Sequence, residues 1–470
     1  MSKLILIYSD GTGQRGGLRP DQKLSNVYKL YRATRPGPDS NISPFEQVAF
    51  YDPGLGRGEV GGLTFKRVRQ GLEALIGTGI DTNIVDCYSQ IISQYEPGDR
   101  ICLFGFSRGA YTVRALASLM NLCGVPTRMP DGSAVPKHGK ELRKVAEEAV
   151  FDLYNHGAGR PRSEAPFFRQ REELGSRFRQ KYQSNQHNDP KAPRGNVEPH
   201  FIGVFDTVAA LGSAKLKTLF GVILVILLMP FVAAYFFAIP RMVLFPIAVL
   251  IGLIGYWWAR TILRAHKVFE PVSKQGDESL DVHVDVSRKH THWAFWRSKN
   301  YDRFLSGQVK YARHAVAIDE ERASFPRVAW GSTRTAELKK DQNPRWLKQV
   351  WFAGCHSDVG GSYPEDESRL SDIALSWLVD ELNECVPDLK VRREVLNVFG
   401  DPSGLQHRQI FMIPKLLRWK FKPREVYETG ELHESVSKRF NSGPVPIMSK
   451  VEDYRPEQLR NHPDVKDYYK

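Results

Sequence analysis

The chain has 470 residues, of which 41% are hydrophobic and 25% are charged, and this globular composition excludes a disordered or low-complexity protein. Its formal net charge of +13 suits contact with anionic lipid headgroups or with nucleic acid, but no zinc finger, RNA-binding signature or basic helix array favours nucleic acid. The five cysteines form no C-x-x-C pair, which argues against a disulfide framework and favours a reducing compartment.

The chain opens with a short apolar segment, Leu4–Tyr8, which we interpret as a buried strand. It is too short for a signal peptide, and Asp10-Gly11-Thr12-Gly13 ends it at once. A glycine-rich turn after a strand can donate an N–H to an oxyanion, so Gly11 is a candidate donor. The alternative is an ordinary tight turn. It is not a P-loop, because the Lys-Ser/Thr pair is missing.

Predicted strands alternate with predicted helices along the chain, which favours an α/β fold with a mostly parallel sheet covered by helices on both faces. The predicted strands are Leu4–Tyr8, Val48–Tyr51, Ile101–Phe104, Phe201–Phe205, Val350–Ala353 and Gln409–Ile413. The predicted helices are Thr82–Tyr95, Ser107–Cys123, Glu141–Tyr154 and Leu370–Cys385.

The most informative motif is Gly105-Phe106-Ser107-Arg108-Gly109, which joins a predicted strand to a predicted helix. This order is typical of the nucleophile elbow of α/β-hydrolases, where glycines flank the serine because the turn is tight. Ser107 is therefore the candidate nucleophile. The backbone N–H of Arg108, at the helix start, is the second candidate oxyanion donor. The alternative is a plain strand-to-helix turn.

Two long uncharged segments follow, Thr218–Ile239 and Met242–Ala259. As helices they would span about 33 Å and about 27 Å, close to the roughly 30 Å of a bilayer core. We predict a transmembrane hairpin, residues 214–267 with its flanks, inserted into the α/β domain. Basic residues at its outer ends place the rest of the chain on the cytoplasmic side. A buried helical pair and an interfacial or re-entrant pair are the alternatives.

A serine nucleophile requires a base and an acid that orients it, in the order Ser, acid, His for this fold. Asp206 and Asp358 each stand directly after a predicted strand. We prefer Asp358 because it lies in a glycine-rich turn, Gly354–Gly361, where close backbone approach is expected.

For the base, the order rule then asks for a histidine after Asp358. His433 lies at a predicted loop-to-helix start after the last strand, where the fold places its histidine, and is preferred over His407 and His462. If Asp206 were the acid, His314 or His356 could serve. We predict no metal and no cofactor, because no spaced Cys/His cluster exists.

The sequence resembles the DUF2235 family of α/β-hydrolases, which includes the phospholipase effectors of type VI secretion. The stretches that carry the resemblance are Ser9–Gly13, Tyr51–Gly56, Gly105–Tyr111, Phe205–Val208, Arg313–Glu320 and Trp351–Gly361. The resemblance implies an α/β-hydrolase fold and a serine esterase that cleaves glycerophospholipid esters. In the family pattern Ser107 matches the nucleophile, Asp358 the acid and, loosely, His433 the base.

We therefore expect one α/β-hydrolase domain, residues 1–213 and 268–470, interrupted by the membrane hairpin. The expected function is a membrane-anchored serine hydrolase acting on phospholipid acyl esters, with membrane lipids as substrate and anchor and no nucleic-acid partner. Two alternatives are a hydrolase of soluble esters or thioesters at the membrane, and a catalytically silent, membrane-tethered binding module.

Overall fold

The structure is a computed structural model. It describes residues 2–11, 23–54, 79–161, 164–189, 192–208, 225, 228–229, 241–271, 284–295, 303–323, 325–330, 343, 345–409 and 420–470.

Within these residues the domain is built on a seven-stranded sheet. The strands along the chain are β1 (Leu4–Ser9), β2 (Gln47–Asp52), β3 (Arg100–Phe106), β4 (Phe201–Phe205), β5 (His266–Phe269), β6 (His290–Trp293), β7 (Tyr311–Ala317), β8 (Leu347–Phe352), β9 (Glu431–Leu432), β10 (Pro444–Ile447) and β11 (Lys450–Asp453). The sheet has the order β2-β1-β3-β4-β7-β8-β9, and every neighbouring pair is parallel. The predicted parallel α/β sheet is confirmed.

Helices cover both faces of this sheet. The α-helices of the described residues are α1 (Asn26–Thr34), α2 (Gly79–Gln94), α3 (Arg108–Cys123), α4 (Gly139–Glu147), α5 (Phe167–Tyr182), α6 (Arg241–Ala265), α7 (Val284–Ser287), α8 (His356–Gly360), α9 (Arg369–Cys385) and α10 (Glu434–Asn441). The apolar sides of α2 and α3 pack on one face of the sheet, and those of α1 and α9 pack on the other. Buried on both faces, the central strands are nearly continuous apolar runs, as parallel sheets require.

One predicted helix differs from the structure in detail. The helix predicted over Glu141–Tyr154 is an α-helix only as far as Glu147, after which a π-helix runs over Glu148–Leu153. The predicted strand Gln409–Ile413 lies outside the described residues apart from Gln409. The sequence analysis missed β7 altogether, because Arg313 and His314 interrupt its apolar pattern although both are fully buried.

The predicted membrane hairpin is wrong. Among the residues that the structure describes, no helix combines the length and the apolar character that a membrane span requires. The first predicted span, Thr218–Ile239, lies outside those residues except at three positions, and the second falls within α6. The prediction rested on the length of two uncharged segments and on the basic residues that flank them, which do not by themselves make a helix a membrane span. The predicted integral-membrane location with a cytoplasmic domain rested on the same hairpin and is corrected with it.

The far end of α6 is instead tied to the α/β domain. Lys267 Nζ, two residues after the helix, donates to the Phe151 carbonyl at 2.6 Å. The Arg264 guanidinium lies 4.1 Å from the centroid of the Phe151 ring. These contacts fix the point at which the chain re-enters the fold.

The carboxyl edge of the sheet gathers the polar residues of interest. In a parallel sheet all strands end at the same edge, where such folds place their ligands. Ser107 follows β3, Asp206 follows the adjacent β4, and His356 lies just beyond β8, which is separated from β4 only by β7. The fold therefore brings these three residues to one place although 249 positions separate the serine from the histidine.

We expect Gly109→Ala to destabilise the fold, because a Cβ at this position would overlap the backbone carbonyl of Ser9 at the end of β1. Such overpacking costs about 1–3 kcal/mol in the free energy of unfolding, measured by urea denaturation. Gly252→Ala is the control, since nothing in the described part of the chain lies within 4 Å of a Cβ built there. Equal stability of the two variants would contradict this close packing.

Candidate active site

Ser107 lies at a strained turn between β3 and α3. Its φ of 58° is in the left-handed region, which non-glycine residues seldom adopt. Gly105 and Gly109 allow the turn, because a side chain on either would overlap neighbouring backbone. The serine is 7% exposed, and its N–H donates to the Phe205 carbonyl at 3.1 Å, which ties the turn to β4. The structure thus has the local geometry of a nucleophile elbow.

His356 reaches the serine from the loop after β8. Its Nε2 lies 2.8 Å from Ser107 Oγ, and its ring stacks on Phe106 with centroids 4.7 Å apart. Gly354, with φ of 106°, makes the turn that leads to this histidine, and its N–H donates to Asp319 at 2.7 Å. Contacts of the ring and of the adjoining backbone therefore fix the position of the His356 imidazole.

Asp206 holds the other side of the imidazole. Its Oδ2 lies 2.5 Å from His356 Nδ1, and its Oδ1 accepts the Ala317 N–H at 3.0 Å. Arg424 donates to both carboxylate oxygens, at 2.5 Å and 3.0 Å. Asp206 is fully buried and has a positive φ of 37°. Ser107, His356 and Asp206 form one continuous chain of hydrogen bonds.

The electrostatics suit a neutral base beside an ionised acid. Burial acts to raise the pKa of Asp206, but the charge of Arg424 and the hydrogen bond from His356 outweigh it and hold that pKa well below its usual range. Burial lowers the pKa of His356, and the opposing influence of Asp206 only partly offsets this. At neutral pH the imidazole is therefore uncharged and can accept a proton at Nε2.

The structure does not bring the preferred acid and base to the serine. Asp358 accepts from the Cys355 N–H and from His407, on the far side of the loop that carries His356. His433 caps the start of α10, bonds to Ser435 and stacks on Phe352. The alternative pair, Asp206 and His356, occupies the positions beside Ser107. It also obeys the order Ser, acid, His.

The other candidate histidines have structural partners. His314 is fully buried and its Nε2 accepts the Thr207 N–H at 3.2 Å, while burial lowers its pKa to about 3. His462 Nε2 lies 2.9 Å from the Gly430 carbonyl. Among the hydrogen bonds of the described residues, neither histidine bonds to the Ser107 hydroxyl.

The two predicted oxyanion donors lie on either side of the nucleophile. A Cβ built on Gly11 would be 3.2 Å from Ser107 Cβ, but the Gly11 N–H donates to its neighbour Asp10 at 2.7 Å. Asp10 is buried, and burial raises its pKa to about 6. Arg108 is the first residue of α3, at the helix end that favours negative charge. The oxyanion roles of Gly11 and Arg108 stay predictions.

No group of three or more His, Cys, Asp or Glu side chains is arranged to hold a metal ion in the described part of the chain. The carboxylates nearest the site already have partners: Arg322 donates twice to Glu320, at 2.7 Å each.

The catalytic domain of Tle1-like phospholipase effectors of the type VI secretion system, as a family model, matches residues 3–234 and 264–381. This covers well over half of the 470 residues. The chain belongs to this family. The match confirms the resemblance to type VI secretion phospholipases and the expectation of a lipid ester hydrolase family. Its interruption between residues 234 and 264 falls on the uncharged segments that the sequence analysis singled out.

Individual relatives of this Tle1-like chain are distant. The uncharacterized protein YEL023C of Saccharomyces cerevisiae is 28% identical over 219 residues, which are 45% of this chain and 27% of that protein. An uncharacterized protein of Pseudomonas aeruginosa has a solved structure with 15% identity and a TM-score of 0.35, covering 85% of this chain and 48% of that one. The Tle1 effector bound to the VgrG spike has 16% identity and a TM-score of 0.29, covering 78% and 52%. The chain thus spans about half or less of the length of each.

The sequence analysis missed one residue of the site, Arg424. It lies 218 positions after Asp206, and its guanidinium also donates to the carbonyls of Ala317 and Phe325. No local pattern distinguishes Arg424, because it lies close to Lys420 and Lys422. A cluster of basic residues of this kind is typical of a solvated surface. The sequence offered only a general indication, namely that a buried acid requires a positive charge nearby to balance it.

We expect Arg424→Met to destabilise the protein by about 3–5 kcal/mol at pH 7, because it leaves the Asp206 charge buried and unbalanced. The low pKa of Asp206 contributes stability that is present above its unfolded pKa and is lost as the pH falls towards its folded pKa, so the difference in stability between wild type and variant should shrink on acidification. Urea denaturation at several pH values measures both effects.

Arg393→Met is the matched control, because its ion pair with Asp380 is exposed on both sides. We expect no resolvable change in stability for this variant. If both variants had the same stability, Arg424 would not be the group that balances Asp206.

Proposed function

We propose that the chain is a serine hydrolase that cleaves acyl esters of phospholipids, with Ser107 as nucleophile, His356 as base and Asp206 as the acid that orients it. The observation that carries the proposal is the hydrogen-bond chain from Ser107 Oγ through His356 to Asp206, at 2.8 Å and 2.5 Å. It begins at a serine with the positive φ of a nucleophile elbow.

The reaction follows from these positions. Ser107 Oγ attacks the ester carbonyl carbon while His356 Nε2 takes its proton, and Asp206 stabilises the imidazolium that forms. The tetrahedral intermediate collapses when His356 returns the proton to the leaving alcohol oxygen, which leaves an acyl-serine. Water, deprotonated by His356, then attacks the acyl carbon and releases the fatty acid and the free serine.

Two observations favour a phospholipid over another ester. The first is membership in a family of phospholipase effectors. The second is the cationic side chain of Arg108 directly after the nucleophile. Burial lowers the pKa of Arg108 to about 10, so its guanidinium remains charged at neutral pH. Every glycerophospholipid carries a phosphate group close to its acyl esters, and a cationic residue next to the nucleophile in sequence would attract it.

We expect Ser107→Ala and His356→Ala each to lower kcat for phospholipid hydrolysis by about 10³-fold or more, because each removes a member of the triad. Release of fatty acid from mixed phosphatidylcholine and phosphatidylglycerol vesicles measures the loss. The same assay with a short, water-soluble acyl ester tests the alternative that dissolved esters are the substrate.

His433→Ala is the matched control, since His433 is another partly buried histidine that caps a helix away from the serine. It should keep kcat close to that of the wild type. Loss of activity in His433→Ala with retention in His356→Ala would return the base to the residue preferred from sequence.

We expect kcat/KM to fall on the acid side with a midpoint below pH of about 6.5, which is the ordinary pKa of histidine. The reason is that burial lowers the pKa of His356, so the imidazole becomes protonated, and inactive as a base, only at lower pH. Hydrolysis of a soluble ester between pH 4.5 and 8 gives the profile, with circular dichroism at each pH to show that the fold persists. An acid limb above pH 7 would contradict this assignment.

A further inference from the structure

A second buried histidine–aspartate pair lies behind the candidate active site. His407 Nδ1 is 2.7 Å from Asp358 Oδ1, and His407 Nε2 is 3.1 Å from Glu367 Oε2. Tyr363 stacks face to face on the His407 ring with centroids 3.6 Å apart. His407 is 3% exposed, so its ring is shielded from bulk solvent. The mechanism above uses none of these groups.

Asp358 links this pair to the catalytic loop. Its Oδ2 accepts the N–H of Cys355, the residue before His356, at 2.9 Å, and the N–H of His407 at 3.0 Å. Asp358 is 1% exposed and lies two residues after His356 on the same short helix, α8. A side chain at Gly354 would overlap the Asp358 Cβ, so the loop is packed directly on this carboxylate.

Asp358 Oδ2 accepts from two backbone N–H groups, of Cys355 and of His407, whereas Oδ1 bonds to the His407 ring. If the ring bond is lost, only the backbone bonds at Oδ2 remain, so the carboxylate can rotate about them and holds the Cys355 N–H less firmly. His356 would then move relative to Ser107, and displacement of a reacting group by about 1 Å can cost about 100-fold in rate. The His407 bond to Asp358, rather than its bond to Glu367, therefore controls the position of the base.

We propose that His407 is a positioning residue for catalysis: through its Nδ1–H it fixes Asp358, which in turn fixes the loop that carries His356. This inference rests on the function proposed above and adds a residue to it.

The charges around His407 make the bond to Asp358 independent of pH near neutrality. Burial acts to lower the pKa of His407, but hydrogen bonds and charges from Asp358 and Glu367 outweigh it and raise that pKa. The other titratable groups at the cluster are Tyr363 and Cys355, whose pKa values burial raises, so both stay neutral. The protonated and the neutral ring with hydrogen on Nδ1 can both donate to Asp358.

Two substitutions separate the two bonds of His407. Asparagine places its amide nitrogen near the position of Nδ1 and keeps a donor to Asp358, whereas glutamine places it near Nε2 and keeps a donor to Glu367. We expect His407→Gln to lower kcat for a soluble acyl ester by about tenfold to 100-fold. We expect His407→Asn to stay within about threefold of the wild type, since it keeps the donor to Asp358 and loses the bond to a half-exposed glutamate, while the stacking on Tyr363 is lost in both variants.

The rate is expressed per active site, titrated to its end point with a fluorophosphonate that labels Ser107. This removes any loss due to unfolded protein, which is what a merely structural role of His407 would produce. His407→Gln should also move the acid limb of kcat/KM to higher pH, because a loosened loop admits water to His356 and relieves the burial that lowers its pKa. His407→Asn should leave that limb in place.

Equal kcat per titrated site and equal pH profiles in the two variants would overturn this inference while leaving the proposed function intact. A wild-type protein that shows no Ser107-dependent hydrolysis and no labelling would instead overturn the proposed function, and this inference with it.

Discussion

The rest of the site depends on one buried negative charge, the carboxylate of Asp206. A fully buried carboxylate is stable only when its charge is balanced and its oxygens accept hydrogen bonds. Three separate parts of the chain meet this need: the end of β7 through the Ala317 N–H, the loop after β8 through His356, and the C-terminal part through Arg424. The contacts that stabilise this charge also fix the position of the His356 imidazole. The stability of the buried carboxylate and the geometry of the site therefore depend on the same residues.

The arrangement also divides the acid's charge between two partners. Arg424 balances much of the charge of Asp206, so the carboxylate supports His356 without making it strongly basic. The base remains neutral at neutral pH, which proton abstraction from a serine requires. A carboxylate without the guanidinium would raise the pKa of the imidazole further and favour a protonated, inactive form.

The sequence predicted what depends on neighbouring residues. The elbow at Ser107 follows from glycines at fixed spacing, and β1, β3, β4 and β8 follow from short apolar runs. The structure places Asp206, and not the preferred Asp358, in the hydrogen-bond chain to Ser107. The glycines around Asp358 allow the His356 loop to pack on Asp358 and Phe106. Glycine richness therefore indicated the loop that reaches Ser107, but the residue of that loop beside the serine is His356.

Pairings over long distances could not be predicted. β7 was missed because Arg313 looks like a surface residue, yet Glu381, 68 positions away, allows it to be buried. In the predicted membrane hairpin, Arg264 and Lys267 were interpreted as the basic flank of an uncharged segment, whereas both contact Phe151 of the domain. In both cases a local sequence pattern was interpreted without knowledge of the distant residue that contacts it in the fold.

Arg424 has a consequence for where this chain can be divided. The match to the family ends at residue 381, and Ser107, Asp206 and His356 all lie before that point. The guanidinium that balances the Asp206 charge lies beyond it. A fragment cut at the boundary of sequence similarity would keep all three residues and lose the counter-ion of the buried carboxylate. The segment that matches the family is thus shorter than the segment that the hydrogen-bonded site requires.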